Sequence, residues 1–396
     1  MSFRTHKIAL KPNNKQRNWF AQQCGYARFA YNHALADFKA SLDDDDFLSI
    51  FTLNKRFNQT KKEYDWTPEQ DQRAAFYSIY ANLASAIKNW VEKRAKFPKF
   101  KKRGKHDSYT TDEQSVIVRG KRIRLPKIGW IRMSQVLRWT GKIVKVTISR
   151  TAHRWFISIT VDAENIKAVE QSTHPVPIGI DVGINTLATC SDGTKYDNPR
   201  PLKRFEYKLA KAQRKLSRKK KGSNNWHKQV AVMARIHYRI TCIRNDAHHK
   251  ASTAIVNHAS AIGIETLHIT NMLKNRKLAK ALSDSALGGF LTMLKTKAEA
   301  RGIPITEADQ FFASSKTCSS CGHKKADLTL SDRIYQCDEC GFTLDRDLNA
   351  AINLRPKLAP GHRESQNACG AQVSPHSEAR AAESGKVVWK QLTLPI

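Results

Sequence analysis

Residues 178–183 read Ile-Gly-Ile-Asp-Val-Gly and residues 262–267 read Ile-Gly-Ile-Glu-Thr-Leu, two apolar stretches of strand length that each carry one acid. A carboxylate inside an apolar strand is costly to bury unless it binds a metal or a hydrogen-bond donor. A third acid opens the Ala-rich helical stretch Asp-Leu-Asn-Ala-Ala-Ile-Asn. Acids that converge from strands and one helix can bind two divalent cations for phosphodiester hydrolysis. The sequence therefore predicts a two-metal nuclease site formed by Asp181, Glu265 and Asp347.

These acids leave alternatives open. Taken singly, each could be a capping residue at the end of an apolar element. Asp345 competes with Asp347 for the third position, and we favour Asp347 because it directly precedes the Leu-Asn-Ala-Ala helix. Asp192, in Ser-Asp-Gly, is typical of a turn between strands.

The cysteine spacing gives the strongest local signal. Cys318-x-x-Cys321 and Cys337-x-x-Cys340 are separated by fifteen residues, which is zinc-ribbon spacing. Four thiolates fill the coordination shell and leave no open position for water, so the predicted zinc is structural. The other four of the eight cysteines are scattered, which is not the pattern of a secreted disulfide framework and indicates a reduced, cytoplasmic protein.

The charge balance predicts a polyanionic partner. The 396 residues contain 68 Lys+Arg and 35 Asp+Glu, a net charge of +33, which is too large for an ordinary enzyme of small molecules. Nucleic acid is the obvious partner because each neutralised phosphate releases counterions. No run of 18 apolar residues and no signal peptide are apparent, so we expect no membrane association.

Two segments concentrate this charge. Eight of the thirteen residues in 93–105 are Lys or Arg, interleaved with Phe97 and Phe100. Residues 200–250 hold sixteen Lys+Arg and two acids. A solvated charge run is one explanation, but basic residues mixed with aromatics are also how a groove binds a phosphate backbone and stacks bases.

The residue pattern predicts a multidomain α+β protein. Residues 3–10 suit a strand, residues 13–90 have helical periodicity, and residues 109–161 alternate with period two, as in a small β-barrel or sheet. One helical face is apolar and includes Phe20, Leu35 and Phe38. Residues 163–177 are expected to be a linker. Further along, residues 219–222 are predicted to form the turn between two basic helices, residues 271–280 a basic helical segment and residues 303–305 a short strand. The stretch from 357 to 396 lacks periodicity, and we expect a disordered tail.

Together these motifs resemble TnpB, the insertion-sequence nuclease family related to the type V CRISPR effectors, over roughly residues 3–355. The matching motifs in the C-terminal half are Gly-Ile-Asp-Val-Gly (179–183), Gly-Ile-Glu-Thr-Leu (263–267), Thr-Cys-Ser-Ser-Cys-Gly (317–322), Tyr-Gln-Cys-Asp-Glu-Cys-Gly (335–341) and Asp-Arg-Asp-Leu-Asn-Ala-Ala-Ile-Asn (345–353). In the N-terminal half, Gly-Tyr-Ala-Arg-Phe-Ala-Tyr-Asn (25–32) and Leu-Pro-Lys-Ile-Gly-Trp (125–130) fit as well.

The resemblance implies a RuvC/RNase H-like α/β nuclease domain with an inserted four-cysteine zinc ribbon, plus an N-terminal β-barrel wedge domain with an inserted helical recognition domain. The implied divisions are the first wedge strand at 1–12, the helical recognition domain at 13–104, the wedge at 105–170, the first nuclease part at 176–312, the zinc ribbon at 313–342, the last nuclease part at 343–356 and the tail at 357–396.

The resemblance also implies an activity and its partners. Members bind a guide RNA transcribed from the end of their own element and cleave double-stranded DNA beside a transposon-adjacent motif. The implied cofactors are two catalytic Mg2+, for which Mn2+ can substitute, and one structural Zn2+. The sequence leaves the oligomeric state open, and we favour a monomer. We expect the protein in the prokaryotic cytoplasm, associated with the nucleoid. The expected nucleic-acid contacts are Lys99, Lys101, Lys102, Arg103, Arg214, Arg218, Lys219, Lys220, Lys221, Arg276 and Arg333.

Three other functions are weighed against this one. An RNA-guided DNA-binding repressor without cleavage is disfavoured by the intact acids. An RNA-independent transposase uses the same acid triad and would be active without RNA. A plain zinc-ribbon RNA-binding protein leaves the acids in apolar elements unexplained.

Overall fold

The computed structural model of the chain describes residues 3–44, 46–163, 175–310, 312–329 and 332–356. The tail predicted at 357–396 lies outside these residues, as does most of the linker predicted at 163–177. Across the described ranges, no helix is both long and apolar enough to cross a membrane.

The N-terminal half combines a group of helices with a seven-stranded antiparallel sheet. Its helices are α1 (Asn14–Asp43), α2 (Ile50–Thr60), α3 (Gln72–Tyr77) and α4 (Ala84–Val91), with a π-helical turn at Ser78–Leu83. Its strands are β1 (Phe3–Lys11), β2 (Ser108–Thr111), β3 (Ile117–Arg119), β4 (Arg122–Leu125), β5 (Gly129–Met133), β6 (Gly141–Thr151) and β7 (Arg154–Ala163). The strand order is β2-β6-β7-β1-β5-β4-β3.

The sequence patterns account for these elements. Asn13 and Gln16 form a capping box at the start of α1. The apolar face predicted for α1, which includes Phe20, Leu35 and Phe38, is buried. In β7, alternate residues beginning at Trp155 are buried, as expected of a strand with one face on the core. The helices and the sheet share one hydrophobic core.

The C-terminal half is built around a five-stranded sheet with helices packed on it. Its strands are β8 (Val176–Val182), β9 (Thr186–Cys190), β10 (Lys195–Asp197), β11 (Ala259–Ile264) and β12 (Ile305–Glu307), followed by the separate hairpin β13 (Ile334–Gln336) and β14 (Thr343–Asp345). Its helices are α5 (Pro201–Ser217), α6 (Asn224–His258), α7 (Ile269–Met272), α8 (Arg276–Ser285), α9 (Leu287–Glu299) and α10 (Arg346–Leu354).

The direction of the strands changes at the middle of this sheet. The order is β10-β9-β8-β11-β12. The first three strands pair antiparallel, whereas β11 pairs parallel with both β8 and β12. A second hydrophobic core lies between this sheet and helices α6 and α9.

Several predicted boundaries shift. The basic helical segment predicted at 271–280 is two helices, because α7 ends at Met272 and Asn275 caps α8 by accepting a hydrogen bond from the Lys277 N–H. The strand predicted at 303–305 begins at Ile305 instead. The turn predicted between two basic helices is confirmed, since α5 ends at Ser217 and α6 begins at Asn224.

Candidate active site and cysteine cluster

Two of the three predicted acids lie side by side at the carboxyl edge of the sheet. Ile180 of β8 pairs in register with Ile264 of β11, and the residue after each of them in the chain is one of the acids. Asp181 is the penultimate residue of β8, and Glu265 directly follows β11 instead of lying inside the strand as the sequence suggested. Because the strands are parallel, both carboxylates leave the sheet at the same end.

Helix α10 carries the third acid and lies against the backbones of these two strands. A Cβ atom on Gly179 would come within 2.0 Å of the Ala351 carbonyl oxygen, and one on Gly263 within 1.8 Å of the Leu354 carbonyl oxygen. Only glycine permits such an approach.

The same glycines explain why the acids face the helix. Gly179 lies two residues before Asp181, and Gly263 two residues before Glu265. Residues two apart on a strand point to the same face. Asp181 therefore shares a face of β8 with Gly179, and Glu265, the first residue after β11, has the same spacing from Gly263. Both glycines contact α10, whose second residue is Asp347. The spacing Gly-x-acid was visible in the sequence, but its packing role was not predicted.

The charges of the other two acids act on Asp181. Burial raises the pKa of Asp181 to about 7, and the negative charges of Asp347 and Glu265 add to the shift. Burial also raises the pKa of Glu265. Arg346 lies 3.6 Å from an Asp347 carboxylate oxygen and partly offsets the repulsion. A group of mutually repelling, hard oxygen donors is the chemistry that suits a divalent cation such as Mg2+.

Asp345, the competing candidate, has another role. Its carboxylate accepts a hydrogen bond from the Leu348 N–H and thereby caps α10. It also pairs with the Lys195 ammonium at 2.8 Å. Burial opposes ionisation of Asp345, but the contacts with Lys195 and the capping N–H prevail and lower its pKa. These contacts favour Asp347 as the third acid.

The four predicted cysteines come together. Their Sγ atoms all lie within 4.8 Å of one another. The Cys318–Cys340 and Cys321–Cys337 sulfur distances are 3.8 Å and 3.5 Å. A tetrahedron with zinc–sulfur bonds of about 2.3 Å has edges of about 3.8 Å, so the arrangement fits zinc.

Each Cys-x-x-Cys pair forms a tight turn. Gly322 and Gly341 have positive φ angles, and their N–H groups bond to the Cys318 and Cys337 carbonyls. Backbone N–H groups of Cys340 and Glu339 lower the pKa of Cys337 to about 6. Such thiolate stabilisation prepares the sulfur for metal binding. Beside these cysteines, Tyr335 supplies most of the local apolar core.

The predicted nucleic-acid contacts differ in exposure. Nine are solvent-exposed: Lys99, Lys102, Arg103, Arg214, Arg218, Lys220, Lys221, Arg276 and Arg333. Lys219 is partly buried. Arg333 lies next to α10, because its carbonyl oxygen accepts a hydrogen bond from the Arg346 N–H.

Lys101 is a special case among them. Its ammonium lies 4.0 Å from the centre of the Tyr31 ring, and burial lowers its pKa to about 8. Asn32 hydrogen-bonds both the N–H and the carbonyl oxygen of Lys101. Lys101 thus anchors the basic segment to α1, a role that the charge pattern did not reveal.

Comparisons with known proteins define the class of this chain. Three family models match: OrfB_IS605, described as "Probable transposase", at residues 158–276; "Cas12f1-like, TNB domain" at 288–354; and the OrfB_IS605 "Helix-turn-helix domain" at 1–42. The second match contains the four cysteines and Asp347.

Similar full-length proteins identify the family more closely. A Streptomyces pristinaespiralis protein named "Putative RNA-guided DNA endonuclease" is 35% identical, over 95% of this chain and 93% of its own length. "Putative RNA-guided DNA endonuclease InsQ" of Escherichia coli K12 is 33% identical, over 93% and 94% respectively. The chain belongs to this family, the TnpB proteins.

A solved structure described as a Cas12f1–sgRNA–target DNA complex also matches. Its TM-score is 0.35 and its identity 16%, over 90% of this chain and 99% of the matched chain.

Proposed function

We propose that this chain is an RNA-guided DNA endonuclease that cleaves double-stranded DNA by two-metal-ion phosphodiester hydrolysis. The observation that carries the proposal is the convergence of Asp181, Glu265 and Asp347 at one sheet edge, with the pKa of Asp181 raised to about 7 by burial and by the other two carboxylates. Family membership supplies the RNA-guided part, since the two relatives above bear that name.

The sheet supports the proposed fold assignment. Three antiparallel strands followed by two parallel ones, with the acids at the junction, is the arrangement expected of a RuvC/RNase H-like domain. In this proposal residues 176–312 and 343–356 form the nuclease domain around a zinc ribbon at 313–342. The strand at 1–12 and residues 105–170 form the wedge, and residues 13–104 form the recognition domain.

The acids would act as metal ligands. Asp181, Glu265 and Asp347 would hold two Mg2+, or Mn2+ in their place, which activate water and stabilise the leaving oxygen when bound. The protein's own contribution is orientation: the parallel strands fix two carboxylates, and the glycine contacts fix the helix that bears the third. The four cysteines would bind one structural Zn2+, which keeps the ribbon folded.

The proposed partners are a guide RNA from the element's own end and target DNA. The exposed basic residues of 99–103 and 214–221 are available to contact phosphates. Arg276 opens α8 and is a further candidate contact with nucleic acid, and Arg333, whose carbonyl oxygen bonds to the first residue of α10, is the candidate contact with the scissile strand. A monomer in the prokaryotic cytoplasm, associated with the nucleoid, completes the proposal.

The test begins with RNA. We would express the full chain with its native flanking DNA, sequence the RNA that co-purifies, and offer the complex a plasmid that carries the matching target. Cleavage in Mg2+ that stops in EDTA supports the proposal. Heterogeneous host RNA that moderate salt removes would contradict RNA guidance.

The competing functions predict other outcomes. A repressor would bind the matched plasmid and leave it uncut in Mg2+. A transposase would join or cut DNA ends without RNA, so activity that survives ribonuclease treatment and removal of the RNA would favour it.

A further inference from the structure

Two asparagine side chains join the helix of the third acid to the first cysteine turn. The Asn349 side chain is fully buried. Its Nδ2 donates to the Thr317 carbonyl oxygen at 2.7 Å, and its Oδ1 accepts from the Ser319 N–H at 2.9 Å. These two residues flank Cys318, so a single side chain bonds the backbone on both sides of a cysteine.

A second asparagine extends the connection. Asn353 donates to the Thr317 carbonyl oxygen at 2.7 Å and to the Ser314 carbonyl oxygen at 2.8 Å. Asn349 and Asn353 are four residues apart and share a face of α10. Asp347, two residues before Asn349, points to a different side of the helix, because successive helical residues are rotated by about 100°.

Helix α10 is therefore held between two supports. On one side its backbone contacts Gly179 and Gly263 of the sheet. On the other side its amides bind the turn that contains Cys318. The position of Asp347 relative to Asp181 consequently depends on both supports.

We propose that Asn349 is a positioning residue that makes metal binding by the three acids depend on the metal at the four cysteines. This inference rests on the proposed function, in which both clusters bind metal. With zinc bound, Cys318 is fixed and its flanking backbone groups stay aligned with Asn349. Without zinc, the turn is held mainly by hydrogen bonds, and the support for α10 loosens.

The energetic reason lies in the burial of these groups. The Thr317 carbonyl oxygen and the Ser319 N–H keep Asn349 as a partner only while the turn keeps its shape. Leaving a buried polar group unpaired is unfavourable. Near the acids, a small displacement of Asp347 changes a ligand distance directly. A change of roughly tenfold in the affinity of the acids for a divalent cation is the expected scale.

The experiment uses Asn349→Leu, which keeps the side-chain size and removes both hydrogen bonds. Mn2+ affinity of the full chain, freed of nucleic acid, is measured by electron paramagnetic resonance with zinc present and after zinc removal by chelation and dialysis. Binding that Asp181→Asn abolishes defines the acid site. Zinc content and thermal unfolding of each variant are measured in parallel.

We expect zinc removal to weaken Mn2+ binding roughly tenfold in the wild type. Zinc-loaded Asn349→Leu should show about the same weakening, with no further loss when its zinc is removed. Asn353→Leu, which leaves the Asn349 bonds intact, should have a smaller effect and guards against an unfolded first variant. Asn32→Leu removes the same kind of paired amide contact, to Lys101, and should leave the zinc dependence unchanged.

The inference is overturned if zinc removal weakens Mn2+ binding equally in the wild type and in both asparagine variants of α10. It is also overturned if the wild type has no acid-site Mn2+ binding, a result that would contradict the proposed function as well. A wild type that binds Mn2+ with the expected zinc dependence yet never cleaves guided DNA would contradict the proposed function alone.

Discussion

The acid cluster and the cysteine cluster are two candidate metal sites built in opposite ways. The acids come from residues 181, 265 and 347, and a sheet with its own large hydrophobic core holds them. The cysteines lie within 23 consecutive residues, and the buried part of their surroundings is little more than Tyr335 and two of the cysteines themselves.

The two sites differ in whether the protein holds the metal in place or the metal holds the protein in place. The scaffold buries Asp181 near two other carboxylates, and burial together with their charges raises its pKa to about 7, so the proposed acid site lowers the stability of the protein when all three acids are ionised. The cysteine turns have too little apolar surface to stay folded by burial alone. There the metal would hold the protein, whereas at the acids the protein would hold the metal.

The largest expected effect breaks the acid site alone. Asp181→Asn should reduce guided cleavage roughly a thousandfold or more, because the site loses the negative charge of one of its three proposed metal ligands. The fold, guide-RNA binding and target binding should persist. Cleavage of a matched plasmid and gel-shift assays measure this, with Asp192→Asn, at an exposed turn, as the control. Cleavage at the wild-type rate would show that Asp181 is not part of the catalytic site.

The next test breaks the cysteine site. Cys337→Ser, or chelation of zinc, should unfold the ribbon and speed hydrogen exchange of its amides by on the order of a hundredfold or more. The five-stranded sheet should keep its protection, since its core is separate. Cys242→Ser, an exposed cysteine outside the cluster, serves as the control in hydrogen-exchange mass spectrometry. Equal loss of protection in the sheet and the ribbon would contradict the view that only the ribbon depends on the metal for its folding.

A third test moves the helix that links both sites. Gly179→Ala inserts a methyl group where only 2.0 Å separates it from the Ala351 carbonyl oxygen. We expect a loss of about 3 kcal/mol in the free energy of unfolding and a fall of roughly a hundredfold in single-turnover cleavage. Gly289→Ala, where the added Cβ meets nothing within 4 Å, should be neutral or slightly stabilising. Identical behaviour of the two variants would refute the contact.

A fourth test measures the free-energy cost of ionising Asp181, which comes first from burial and then from the charges of Asp347 and Glu265. The folded-state pKa of Asp181 is about 7 and its ordinary value 3.8, so folding favours the protonated acid. This contribution to stability is complete below about pH 4 and is lost as the pH rises through 7. In buffer free of Mg2+ and Mn2+, Asp181→Asn should therefore gain on the order of 2–4 kcal/mol over the wild type at pH 8. Urea unfolding should reveal a much smaller difference at pH 4, and a gain that did not depend on pH would exclude this cause.

Local pattern predicted much of this arrangement. Helical spacing identified the buried face of α1, and Cys-x-x-Cys spacing identified four sulfurs that meet within 4.8 Å. Apolar strands with single acids predicted Asp181 and Glu265 as site residues, and the structure puts these two acids at the same end of neighbouring parallel strands. The helix face and the two cysteine pairs could be predicted because they depend on residues close together in the chain. The acids could be predicted because a carboxylate in an apolar strand needs a ligand or a donor.

Contacts between segments that are far apart in the chain could not be predicted from the sequence pattern. Nothing local indicates that Gly179 and Gly263 meet the backbone of α10, or that Asn349 binds the turn around Cys318. The charge pattern also could not separate Lys101, whose ammonium packs on Tyr31, from its exposed neighbours. The break between α7 and α8 depends on a cap at Asn275 that charge and periodicity did not reveal.

The close contact of α10 with two glycines has an evolutionary consequence. A lineage that gave up cutting could replace its acids one by one and would gain stability by doing so. It could not replace Gly179 or Gly263 without displacing a helix from its sheet. In descendants that have ceased to cleave DNA, we expect the paired glycines to outlast the acids beside them and to remain as a record of the lost activity.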